Sequence, residues 1–191
     1  MTRTRTLALL LLAAIGFGAL VAAVKGQDVG VRNALGNTSA PWIVVPFLAG
    51  ALQPRAWQAA VIGVTATLAA FFGFYLAEAA VLDLGPHPWY VDLKLTLGSG
   101  HVYEIWGAPI GLVYGMLGWL WASHRSVAAA TAVGLAFVTE PLIVFGLQRG
   151  GIWGGGGLLD YPWLWATEIA IGLGGIACAL VWARGWATRT G

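Results

Sequence analysis

The feature that most constrains this chain is a series of long apolar runs. A helix crossing the hydrocarbon core of a bilayer needs about 20 mostly apolar residues. Six stretches reach or approach that length: Leu7–Val24, about Ala40–Leu52, about Trp57–Leu82, about Tyr103–Ala122, Val127–Leu147 and about Pro162–Ala183. The second is short for a crossing. Backbone groups facing lipid have no water to bond, so each run predicts a helix that pairs its own N–H and C=O groups. Only 9% of the 191 residues are charged, against about 25% in soluble domains. So little charge could not clothe a water-facing surface. The reading is an all-α fold: one polytopic bundle of six transmembrane helices over residues 1–191, embedded in a lipid bilayer.

Charge placement orients the bundle. With six spans, Arg3, Arg5, Arg55, Arg125, Arg184 and Arg189 fall on one side, and Lys25, Arg32, Lys94 and Arg149 on the other. The positive-inside rule then puts both termini in the cytoplasm. The inner turns "LQPRAW" and "WASHRSV" are tight and basic, whereas the outer connections are longer. A basic "MTRTRT" before an apolar core also resembles a secretory signal. The length of that core and the embedded remainder favour a retained first span. Most of the 11 tryptophans fall near predicted span ends, where an apolar ring with one N–H suits the interface. A net charge of +2 gives no footprint for nucleic acid. The single cysteine, Cys178, excludes an internal disulfide and a multi-cysteine metal cluster.

Within this apolar frame, "LAFVTEPLIVFG" places Glu140 inside a span and follows it with Pro141. Glu78, Glu104 and Glu168 also fall in the outer halves of their spans under this threading. A charge at a helix centre costs about 2.5–3.5 kcal/mol on insertion scales, and such residues face the bundle interior and mark functional sites by default. Several carboxylates in one cavity repel, and protons or a bound cation relieve that repulsion. Phe71, Phe74 and Tyr75 share the helix face of Glu78. Glu104 heads a Gly107, Gly111, Gly115 seam, and Glu168 stands between Tyr161 and Trp165 on one side and Gly172, Gly175 and Ala179 on the other. Such small-residue seams allow close helix contact. Acids with aromatics nearby suit an organic cation. Pro141 leaves the Phe137 carbonyl without its helical donor and predicts a kink beside the acid.

"NTSAPW" (Asn37–Trp42) reads as a helix start, with Ser39 or Thr38 as the cap and Pro41 in the first turn. Other motifs are weak. "GGIWGGGGLLD" lacks the Lys-Ser/Thr ending of a phosphate loop and reads as a flexible outer loop. His87, His101 and His124 have no ligand spacing, and no metal or other cofactor is expected.

The segments "NALGNTSAPW", "AAFFGFYL", "EIWGAPIGLVYG", "TEPLIVFG" and "YPWLWATEIAIGLG" resemble a family of uncharacterised six-span membrane proteins from high-GC Gram-positive bacteria. The likeness covers most of the chain. It implies a multi-pass protein of the bacterial cytoplasmic membrane and assigns no functional residue. The architecture is also similar to the substrate-capture subunits of energy-coupling-factor transporters. That likeness implies a membrane partner subunit, docked on the small residues Ala14, Gly18 and Ala22 of the first span.

The leading expectation is a transporter or transporter subunit. It would bind a small, cationic or amine-bearing solute through Glu78, Glu104, Glu140 and Glu168, with Tyr75, Trp106 and Trp165 as ring contacts. An alternative is a small membrane enzyme resembling terpene cyclases, in which a buried glutamate protonates an alkene or epoxide. A third is a non-catalytic assembly protein whose acids pair with a partner's bases.

Overall fold

A computed structural model describes residues 3–26, 30–81, 88–99, 101–151 and 160–190. Among these residues the protein is helical throughout, with eight helices: α1 (Arg3–Lys25), α2 (Val31–Gly36), α3 (Ala40–Ala51), α4 (Ala56–Val81), α5 (Trp89–Ser99), α6 (His101–His124), α7 (Val127–Arg149) and α8 (Pro162–Thr190). Five of them, α1, α4, α6, α7 and α8, are long and apolar enough to cross a membrane. The expected second span is the exception. Its 12-residue helix α3 is about 18 Å long at 1.5 Å per residue, short of the ~30 Å hydrocarbon core. The chain enters it through the separate short helix α2 and the polar group Asn37, Thr38 and Ser39.

The small residues decide how the long helices meet. Ala14 and Ala22 of α1 are buried, and a Cβ at Gly18 would strike the Ala70 carbonyl of α4. Residues with rising numbers on α1 meet residues with rising numbers on α4, from Ala14 near Ala66 and Ala70 up to Lys25 beside Glu78. The two helices therefore run parallel. The stripe expected to dock a partner subunit is consumed inside the chain, because its lack of side-chain bulk is what lets α4 approach.

The α4–α6 seam is antiparallel. Gly107 lies against the Phe71 ring, Gly111 against Thr67 and Gly63, and Gly115 against Gly63 and Ala59. This is the glycine seam anticipated from the sequence. A Cβ at Gly111 would stand 2.7 Å from Thr67 Oγ1 and 2.9 Å from the Gly63 carbonyl oxygen, so Gly111→Ala must push two backbones apart. It is expected to lower stability by about 1–3 kcal/mol, the cost of overpacking. Gly174→Ala meets nothing within 4 Å and should gain up to about 1 kcal/mol of helix propensity. Thermal unfolding of both variants in one detergent checks the pair.

Helices α7 and α8 form a second antiparallel pair, in closest contact where Gly134 faces Gly172. Helix α3 joins the two groups, since it packs on α4, α6 and α7. Trp42, one of the tryptophans read as an interface anchor, is half-buried among Phe17, Phe71 and Phe74, at 5.5, 5.0 and 5.7 Å between ring centroids. It tethers the start of α3 to α1 and α4.

Candidate functional site

The start of α3 has an unusual shortage of local partners. Of its first N–H groups, Trp42 donates to the Ser39 carbonyl at 3.0 Å, and Pro41 has none to give. Ser39 and Ala40 remain. The Ser39 side chain makes no capping bond, and Thr38 Oγ1 turns back to donate to the Leu35 carbonyl at 2.8 Å. The side-chain cap expected from this stretch is therefore not made. The cap arrives from another helix: Ser39 N–H donates to Oε1 of Glu140, and Ala40 N–H donates to Oε2. The Glu140 carboxylate thus covers a helix N-terminus with both oxygens, where the helix dipole favours negative charge.

Glu140 is 8% exposed, and Pro141 behind it is fully buried. Helix α7 continues through Pro141 to Arg149. The proline removes the donor for the Phe137 carbonyl. Glu140 stands about 13 residues from Val127, or ~20 Å along α7. It is therefore deep in the span rather than at its rim.

Glu168 of α8 is the second acid here. It is 5% exposed, and both carboxyl oxygens are buried with no N–H or hydroxyl donor among the described residues. The group within hydrogen-bonding reach is the Glu140 carboxyl, so a bond between the two needs a shared proton. Two acids from facing helices thus share one buried place, and among the described residues only Glu140 has N–H donors. One turn further along, Ala34 of α2 joins Val144 and Leu164 in a buried apolar cluster flanked by Tyr161 and Trp165. This cluster lids the acid pair toward the end of the bundle that carries α2.

The other expected site residues are dispersed. Glu78 accepts a 2.9 Å bond from Lys25 Nζ, and that ammonium also sits 5.1 Å from the centre of the Phe74 ring. This acid already has its cation, supplied by the C-terminus of α1. Lys25→Met should remove that partner and cost about 1–3 kcal/mol through the carboxylate left alone. Adding Glu78→Met should recover part of the loss, measurable as a double-mutant cycle in thermal unfolding. Glu104 belongs to the first turn of α6, and its side chain lies outside the described residues. Tyr75 is buried beside Phe71 and Phe74. Trp106 is 67% exposed and points away from the core. Trp165 packs beside Phe145, with 6.0 Å between centroids, above Glu168. The glycine-rich connection at 152–159 and His87 fall outside the described residues. Among the described residues no group of three or more His, Cys, Asp or Glu side chains could hold a metal.

On the side of the acids opposite α2 lies a cleft of about 720 Å³. Its walls include Phe47 of α3, Trp121 of α6, Phe137 of α7, and Gly172, Gly175 and Trp182 of α8. The lining carries no charged side chain. Sequence reading missed this cleft, having placed Trp121 and Trp182 at the interface and Gly175 in a packing seam. Gly175 meets no neighbour within 4 Å, so its missing side chain leaves open space instead of a contact. Comparison with models of protein families, with curated proteins and with solved structures finds no match to this chain.

Proposed function

We propose that this is a membrane transporter, or the solute-binding subunit of one, for a small cationic or amine-bearing molecule, with Glu140 and Glu168 as its site. The observation that carries the proposal is the buried Glu168 carboxyl, whose hydrogen-bonding neighbour is another acid, already docked on α3. A side chain of this kind is costly to keep, and one missing partner of positive charge, or one shared proton, would satisfy it. Short helices that begin within the membrane region and aim their N-termini at a site recur among secondary transporters. Helix α3 supplies that element, and the separate short helix α2 supplies a small cover through Ala34.

Glu140 is the fixed group in this reading. Its charge is spent on α3, so it holds the broken helix in place and biases the pocket negative. Glu168 is the exchanging group. With a proton between the two carboxyls the pair carries one net negative charge; with an ammonium between two carboxylates the net charge is the same and the proton has left. Binding of a cation therefore releases a proton, which is the coupling a proton-driven exchanger requires. The orientation with both termini in the cytoplasm of a bacterial membrane, supported by the arginine bias, would have α2 open toward the exterior.

The test uses primary amines of graded size and their N-acetylated counterparts, with purified protein in detergent. An amine that raises the unfolding temperature should release close to one proton in weakly buffered solution, and its acetylated form should do neither. Glu168→Gln should remove both effects. Stabilisation that persists in Glu168→Gln, or occurs equally with acetylated compounds, would show that the acid pair is not the site.

A further inference from the structure

The apolar cleft and the acid pair sit at different depths, and the cleft has features of its own. It follows α8 from Ile171 and Gly172 to Trp182, about 11 residues or ~16 Å, close to half of the ~30 Å hydrocarbon core. It is open sideways: Ile171 is 56% exposed, and Cys178 on its wall is exposed as well. On a bundle surrounded by lipid, that side faces acyl chains and not water.

The far end of the cleft is electropositive. Arg125, in the turn between α6 and α7, is held at a left-handed φ of 52°. Its guanidinium lies 5.2 Å from the centre of the Trp182 ring, which lines the cleft. By chain order, Arg3, Arg5, Arg55, Arg184 and Arg189 belong to the same end of the bundle, and none of the chain's eight acids does. An apolar slot one leaflet long, with arginine at its mouth, matches a chain with an anionic head in both length and charge.

We infer that the cleft holds one acyl chain of an anionic phospholipid, drawn from the leaflet on the arginine side, with its phosphate at Arg125 and its chain end below Phe137. The lipid would fill the space between the α7–α8 pair and helices α3 and α6. It would then set how far the two groups can move relative to each other.

Two variants isolate the cleft. Gly175→Phe projects a ring into space where a Cβ meets nothing, so it blocks the slot without a steric conflict in the helix pair. Arg125→Asn removes the charge and keeps a residue that tolerates the left-handed region. The protein is extracted from membranes containing phosphatidylglycerol and phosphatidylethanolamine and weighed by native mass spectrometry. The wild type should carry one phosphatidylglycerol. Gly175→Phe should lose it, and Arg125→Asn should retain about five-fold less, the effect of one basic residue at an anionic surface. Cys178, the single thiol, gives a readout that needs no substitution. Its alkylation should be slower in phosphatidylglycerol vesicles than in phosphatidylcholine vesicles. Equal alkylation rates in the two vesicles would overturn the inference. So would a bound lipid that survives both substitutions, a different apolar molecule in its place, or a second copy of the chain seated on the cleft.

Discussion

Glu140→Ala is expected to lower the stability of this protein by about 3 kcal/mol or more, the largest loss for any single side chain described above. The carboxylate accepts from both Ser39 N–H and Ala40 N–H, and hydrogen bonds to a charged group contribute about 1.5–3 kcal/mol each. Alanine leaves the buried Ala40 N–H and the part-buried Ser39 N–H without their acceptor, and neither Pro41 nor the Ser39 side chain offers one. At 2–4 °C per kcal/mol for a chain of this size, the unfolding temperature should fall by about 6–12 °C. Glu140→Gln should fall between wild type and alanine, because its amide keeps one acceptor and turns an NH₂ toward the other donor. Equal unfolding temperatures for wild type and Glu140→Ala in the same detergent would mean that α3 does not depend on this cap. The loss should also be local. Hydrogen exchange at the start of α3 should quicken before that of α4, which keeps its own packing against α1 and α6.

Glu168 should respond with the opposite sign. Its carboxyl oxygens are buried with no donor among the described residues and face another acid, and a buried polar group so poorly partnered costs about 1–3 kcal/mol. Glu168→Leu keeps similar volume and removes that cost, so the apoprotein should gain about 1–3 kcal/mol and unfold at a higher temperature. Under the proposed function, the same variant should lose amine binding altogether. Stability gained where function is lost is the pattern expected of a group retained for its chemistry. A destabilised Glu168→Leu would instead identify Glu168 as a structural acid, paired within the folded protein. The two acids are neighbours, so their effects should not add. In Glu140→Ala, Glu168 faces free donors on α3, and part of the loss should be recovered through it.

These opposite expectations come from one apolar run and its partner helix, and only part of the difference was legible beforehand. Glu140 stood out because a carboxylate inside "LAFVTEPLIVFG" has no water to solvate it. The short helix start at "NTSAPW" stood out because Pro41 and the polar residues before it end one segment and begin another. That the first answers the second could not be read from either, since they are about 100 residues apart in the chain. Glu78 and Glu168 look alike in sequence, each near a span end with aromatics at helical spacing. Lys25, at the end of a different span, separates them by neutralising one and not the other.

What the sequence determined by itself was the long helices, where lipid excludes other backbone hydrogen bonding, the break before α3, and the sequence depth of each acid along its span; the cap expected from Ser39 or Thr38 was not among these. The tertiary structure alone decided which faces meet. Glycine and alanine stripes allow close approach without naming the partner, so Ala14 and Gly18 met α4, Gly111 met a neighbouring face of α4, and Gly175 met nothing and left a cleft. In a bilayer the surroundings are as apolar as the core, so hydrophobicity cannot say which face turns inward. Shape and the pairing of a few polar groups make that choice, and those are properties of helices brought together.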